Sequence, residues 1–188
     1  AFEYCVSLKD VTLPATLTKL GSDAFINCKS LTSIVIPDGV TVVNGFGGCT
    51  ALEKVVLPNN CNAIGSRAFS NTAIANIEIP NSVTDIGSYT FGSCPNLKSI
   101  TLSNNLTQIS EQLFAGSGLE SIIIPDAVTT IGSKAFENCK SLQEITFGTG
   151  LKSITAAAFS GCTAIRKVTF NSVVTSGLGA LRIPSLTT

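Results

Sequence analysis

The sequence predicts a solenoid of about eight stacked, right-handed coils of roughly 23 residues. A parallel β-sheet runs along one face, a weaker second extended leg along another, and short helical or 3₁₀ turns fill the corners. Three observations predict this. Phenylalanine recurs at Phe2, Phe25, Phe46, Phe69, Phe91, Phe114, Phe136 and Phe159, in steps of 23, 21, 23, 22, 23, 22 and 23 residues. Three residues after each Phe stands Cys5, Cys28, Cys49, Cys94, Cys139 or Cys162, with Thr72 and Ser117 in the two remaining copies. An apolar-x-apolar pair follows in register, as in Ile34-Val35-Ile36 and Ile122-Ile123-Ile124.

Each element of the unit has a physical reason. A unit this short cannot bury its own apolar side chains, whereas stacked copies bury each column against its neighbour. The column Leu8, Leu31, Leu52, Ile74, Leu97, Leu119, Leu142 and Ile165 leads into the apolar-x-apolar pair. That pair alternates with period two and is rich in Val, Ile and Thr, so it reads as a short strand. Pro14, Pro37, Pro58, Pro80 and Pro125 close the strand and turn the chain. Two further apolar columns, such as Val83 with Ile86 and Val128 with Ile131, form the second leg, and Gly21, Gly65, Gly87 and Gly132 permit the next corner. The A-F-x-x-C segment fits a helical or 3₁₀ turn whose Phe drops into the middle of the coil.

The cysteines then form an interior column, where a free thiol behaves as a small apolar group and Thr72 or Ser117 substitutes for it. Cys61 occupies the Val column beside Val40 and Val83. Seven cysteines exclude complete internal pairing. Neighbours in a column have parallel Cα–Cβ vectors, which is poor disulfide geometry, so packed thiols are expected.

Composition narrows the function classes. Apolar residues make up 44% of the 188-residue chain and charged residues 13%, enough for a large core. Twelve basic residues balance twelve acidic ones with no basic run, so neither nucleic acid nor an anionic membrane surface is an expected partner. No apolar run reaches the ~20 residues of a membrane span. The chain has no His, which removes Ser-His-Asp triads, Cys-His dyads and most zinc sites. No C-x-x-C occurs, and no metal or cofactor is expected. Gly148–Ser153 (GTGLKS) lacks the spacing of a phosphate loop, and Leu151 and Ile154 fall in core columns. Asn105–Thr107 (NLT) is a formal glycosylation sequon that also reads as a turn followed by a core Leu.

The stretches SLTSIVIPDGV (residues 30–40), SVTDIGSYTFGSC (82–94) and SIIIPDAVTTIGSKAFENC (121–139) carry Leu, Ile, Pro, Val, Gly, Phe and Cys columns. These columns resemble the BspA-like, or Treponema-type, leucine-rich repeat family over about residues 1–176. The resemblance implies a leucine-rich-repeat solenoid from an exported or surface protein of a host-associated bacterium. It also implies a non-enzymatic interaction or adhesion module for extracellular-matrix or host-surface proteins, without cofactor. The alternative is a rigid spacer presenting another domain of the parent protein. The chain opens in mid-repeat and reads as a piece of a longer protein, with an array over 1–176 and a degenerate end or partial cap over 177–188. Uncapped ends would leave routes to self-association.

The pattern departs from the family line in places. The Phe25–Phe46 unit is two residues short, the units at Phe69 and Phe114 lose one residue after the Phe, and Ser103, Gly148 and Asn171 replace Pro. The candidate binding surface is the outward column of the sheet: Thr12, Val35, Val56, Glu78, Thr101, Ile123, Thr146 and Thr169. Lys54, Lys98, Arg166 and Lys167 flank it and offer electrostatic steering.

Overall fold

The structure, a computed structural model, describes residues 1–171. The solenoid is built as the columns predict. One face carries strands β1 (Ser33–Val35), β3 (Lys54–Val56), β5 (Asn76–Glu78), β7 (Ser99–Thr101), β9 (Ser121–Ile124), β11 (Glu144–Phe147) and β13 (Lys167–Phe170). The second leg carries β2 (Val42–Val43), β4 (Ala63–Ile64), β6 (Asp85–Ile86), β8 (Gln108–Ile109), β10 (Thr130–Ile131) and β12 (Ser153–Ile154). Every strand pairing is parallel and joins one coil to the next, as in Ile34↔Val55 and Ile122↔Ile145. The first coil has Thr12 in its expected place but forms no strand, so the described sheet face begins at the second Phe unit. The expected end segment 177–188 lies outside the described residues.

The core is the set of stacked columns. Phe25, Phe46, Phe69, Phe91, Phe114 and Phe136 are fully buried, and Leu31, Leu52, Leu97, Leu119 and Leu142 beside them have no accessible surface. Successive rings of the Phe column stack in parallel from Phe2 to Phe159, with centroids 5.4 Å apart at the first step and 4.9 Å at the last. The coil-to-coil strand spacing of about 4.8 Å sets this distance, and a slight offset of the rings is the arrangement their quadrupoles favour. Each buried Phe contributes on the order of 2–3 kcal/mol.

The corners are not helical, against the expectation. They are left-handed turns. The residue two after each Phe has positive φ: Tyr4, Asn27, Gly48, Asn71, Ser93, Gly116, Asn138 and Gly161. The residue two before Phe does the same at Arg67, Tyr89, Gln112, Lys134 and Ala157. A helix needs consecutive right-handed residues, and a left-handed residue on either side of Phe stops propagation. The amides are used between coils instead. Phe91 N–H donates to Leu113 C=O at 3.0 Å and Ser93 N–H to Ala115 C=O at 2.8 Å, a pattern repeated along the corner. After the sheet strand, each Pro carbonyl closes a tight turn, as in Val40 N–H to Pro37 C=O at 3.0 Å. Asx side chains stitch these turns between coils: Asp126 Oδ1 accepts Thr149 N–H at 2.7 Å.

Two stability measurements follow from the packing. Phe91→Ala is expected to lower the unfolding free energy by about 3–5 kcal/mol, against about 1 kcal/mol for Phe2→Ala, whose ring is 45% exposed. Equal losses in urea titrations would remove the ring ladder as the spine. Ala157, exposed at φ 60°, holds a conformation that costs an L-residue about 1–2 kcal/mol. Ala157→Gly is therefore expected to raise stability by about 0.5–1 kcal/mol, glycine's larger unfolded-state entropy cancelling part of the gain. A loss on this substitution would contradict the strained corner.

Candidate functional site

The outward column of the sheet is displayed as expected. Val35, Val56 and Ile123 are 64%, 55% and 72% exposed, while Ile34 and Ile122 between their neighbours face inward. Thr12, Glu78 and Thr101 are exposed, and Thr146 and Thr169 are half-buried. Register brings Val35 beside Val56, Glu78 beside Thr101, and Ile123 in line with Thr146 and Thr169.

The eight positions do not form one continuous sheet. The strands fall into three blocks, β1–β3, β5–β7 and β9–β11–β13. The splits lie at the two coils that lose a residue after Phe. Elsewhere Cys closes a turn to the Leu three residues on, as Leu31 N–H to Cys28 C=O at 3.1 Å and Leu97 N–H to Cys94 C=O at 3.2 Å. At Thr72–Ile74 and Ser117–Leu119 the connection is one residue too short for that turn, and the following strand starts out of line with its predecessor. The β3–β5 split opens a cleft of about 750 Å³ lined by Glu53, Lys54, Val56, Asn76 and Lys98 among others.

Of the four flanking cations, three are engaged. Lys98 Nζ lies 2.9 Å from Glu120, and Arg166 and Lys167 approach Glu144 at 3.6 and 3.7 Å. Exposed pairs of this kind contribute about 0–1 kcal/mol. Lys54 makes no ion pair among the described residues.

The thiol column lies inside, away from this surface. All seven cysteines are free, with Cys5 exposed and the other six buried. Each buried thiol of the ladder donates to the carbonyl of the Phe one coil earlier, as Cys49 Sγ to Phe25 at 3.1 Å, Cys94 to Phe69 at 3.1 Å and Cys162 to Phe136 at 2.9 Å. Cys61, outside the ladder, donates to Ala63 C=O at 3.2 Å. Burial pushes the Cys49 thiol up to about 12 and raises Cys28, Cys61 and Cys94. Cys162 is raised by the adjoining Cys139 thiol and by burial, and Cys139 is lowered by the hydrogen bond its neighbour offers. These side chains fill the interior as packing elements, and burial favours the neutral thiol at Cys28, Cys49, Cys61 and Cys94. The GTGLKS segment is likewise a packing device, since a Cβ at Gly150 would clash with the Asp126 carbonyl oxygen. Asn105 lies in an exposed turn, its amide donating to Asn81 C=O at 2.8 Å, and Leu106 is buried. Among the described residues no helix is long and apolar enough to cross a membrane.

The model of the BspA type leucine-rich repeat region matches residues 1–97 and 62–179 in six copies. The chain belongs to the BspA-type leucine-rich repeat family. Among solved structures, the leucine-rich repeat protein of Treponema pallidum superposes with a TM-score of 0.62 at 26% identity, over 93% of this chain and 77% of that one. A leucine-rich repeat protein from Bacteroides ovatus gives 0.57 at 25% identity, over 90% of this chain and 62% of the other. The pneumococcal vaccine antigen PcpA, at 21% identity and a TM-score of 0.54, shares the fold over 75% of this chain and 51% of its own. No curated protein shows significant similarity to the sequence.

A raised thiol pKa gives a pH test of this BspA-type core. The folded value of Cys49 lies above its ordinary 9.0, so the stability linked to its protonated state is intact below pH 9 and is lost as pH climbs toward 12. The melting temperature is expected to fall across that interval, and less steeply in Cys49→Val. Identical slopes for the two proteins would show that the thiol ionises freely in the folded state.

Proposed function

We propose that this domain is a non-enzymatic protein-interaction and adhesion module of an exported bacterial cell-surface protein. Its partner class is extracellular-matrix or host-surface protein, and it requires no cofactor. The observation that carries this reading is the outward display of Val35, Val56 and Ile123 on short, rigidly stacked strands. Such a face offers broad contact along the repeats rather than a pocket. The membership in a leucine-rich repeat family supports an interaction role. The enclosed polar cluster that acid–base chemistry needs has no counterpart in the surface described above.

The test is surface plasmon resonance of the domain against fibronectin, fibrinogen and other matrix proteins, with a Val35→Lys, Val56→Lys, Ile123→Lys variant alongside. Saturable binding that drops by at least about tenfold in the folded variant is the expected result, since three exposed apolar anchors that the partner would cover are exchanged for charges that it would desolvate. Binding that survives the triple substitution would move the site off the sheet face. An absence of binding across the panel would favour a rigid spacer that presents another part of the parent protein.

A further inference from the structure

The split between β3 and β5 differs from every other junction of the sheet face. In a continuous junction the flanking amides close the ladder at both ends. Glu53 N–H donates back to Thr32 C=O at 3.0 Å, and Ile36 N–H donates forward to Val56 C=O at 3.0 Å. Lys98 N–H and Ile79 N–H do the same for β5–β7, at 2.9 and 2.8 Å. Across β3–β5 the corresponding bonds, Ala75 N–H to Glu53 C=O and Leu57 N–H to Glu78 C=O, are not formed, and neither N–H has another partner among the described residues. The β7–β9 split is different, because Glu120 N–H still reaches Lys98 C=O at 3.2 Å and the Lys98–Glu120 ion pair closes the same end. Among the described residues, only β3–β5 is open along its whole length.

The opening has the chemistry of a missing strand. Its walls are strand backbone, and its floor and rim are the partly buried Val55 and Leu57 and the exposed Val56. The cleft of about 750 Å³ at the Glu53–Lys54 end continues into a second hollow of about 340 Å³ lined by Val56, Leu57, Asn59 and Glu78. The charges are ordered along it. Lys54, the uncommitted cation, stands on the outward face at the start of β3, and Glu78 stands on the outward face at the end of β5. By the parallel register of the sheet, Glu78 lies two residues further along than Lys54, roughly 6.6 Å at the rise of a parallel strand.

We propose that this split is a docking slot for an extended peptide segment of a partner protein. The guest lies parallel to β3 and β5 and satisfies Ala75 N–H and Leu57 N–H with its own carbonyls. It presents an acidic side chain to Lys54 and, two residues later, a basic side chain to Glu78. The apolar residue between them faces Val55. The inference rests on the sheet face being the interaction surface and names the kind of segment one part of that face takes.

The probe is a fluorescein-labelled nine-residue peptide, Ser-Thr-Val-Glu-Val-Lys-Val-Thr-Ser, titrated by anisotropy with the intact domain. A control peptide has its Glu and Lys exchanged. The first peptide is expected to bind at least about tenfold more tightly than the control, since like charges would face each other in the control complex. A Lys54→Glu, Glu78→Lys domain, shown by its melting curve to be folded, is expected to invert that preference. Equal binding of the two peptides, no binding of either, or a preference unmoved by the charge swap would overturn the slot. The Val35→Lys, Ile123→Lys domain separates this from the adhesion reading. Peptide binding retained with no affinity for whole matrix proteins leaves the slot standing and removes that partner class. Matrix binding without peptide binding removes the slot alone.

Discussion

The fold depends on one constraint: each coil must place the same side chain directly over its copy in the coil before. The Phe column is where the constraint is tightest. Rings from Phe2 to Phe159 stack at centroid distances between 4.9 and 5.9 Å. Parallel strands on two faces fix the coil spacing, and the ring stack accepts that spacing only with small tilts. The left-handed corners exist to serve this stack. By reversing the backbone on both sides of Phe they drive its ring inward while leaving its amide to bond the next coil, as Phe136 N–H does to Ala158 C=O at 2.8 Å. A helical corner would spend those amides within its own coil and leave the coils joined at the strands alone.

The thiol column follows from the same geometry. The inward Phe leaves its carbonyl facing the next coil in a space too narrow for a large side chain. A cysteine fills the space and supplies a weak second donor to that carbonyl, which already accepts a bond from its own coil, as Phe25 C=O accepts Cys28 N–H at 3.1 Å. Where cysteine is absent the hydroxyls take over with altered partners. Thr72 turns to its own coil, donating to Phe69 C=O at 2.9 Å, and also meets Cys94 Sγ at 3.4 Å. Ser117 meets Cys139 Sγ at 3.4 Å. Free thiols in this fold are thus a consequence of column packing, and their number carries no message about redox chemistry.

The columns legible in the sequence are those where one chemistry recurs: Phe, Cys, Leu and the Ile-x-Ile pair each mark an inward position, and the outward Val35, Val56 and Ile123 follow from alternation. The left-handed corner is legible only in part: the column two residues after Phe is Asn or Gly in six of eight copies, whereas the column two before it has no shared chemistry. Asn27, Gly48 and Asn138 suit positive φ, but Arg67, Tyr89 and Gln112 hold it with their amides bonded to the next coil, at Ser88, Glu111 and Ser133 C=O. The strand expected around Thr12 is replaced by a loose edge. Thr32 N–H reaches Lys9 C=O only at 3.4 Å, and Leu13 and Val11 remain partly buried.

The division of the sheet into blocks shows that where a residue is lost matters more than how many. The Phe25–Phe46 coil is the shortest, yet β1 and β3 pair in full register. Its two missing residues lie before the Phe, and Gly45 absorbs the loss there with a φ of 92°, in a space where an added Cβ would meet the Gly21 carbonyl oxygen. The distance from Phe46 to Leu52 is unchanged, so the strand begins in line. The Phe69 and Phe114 coils lose one residue each, but after the Phe, on the path that delivers the strand. Nothing between Phe and Ile74 or Leu119 can stretch to compensate, because the Phe ring and the Leu-column side chain are both fixed by their stacks. The error is carried outward to the strands, which part. A repeat array is otherwise the same all along its face, so its distinct surface sites arise where the period slips. The residues that set those sites are deletions near the core, not the exposed side chains that line the result.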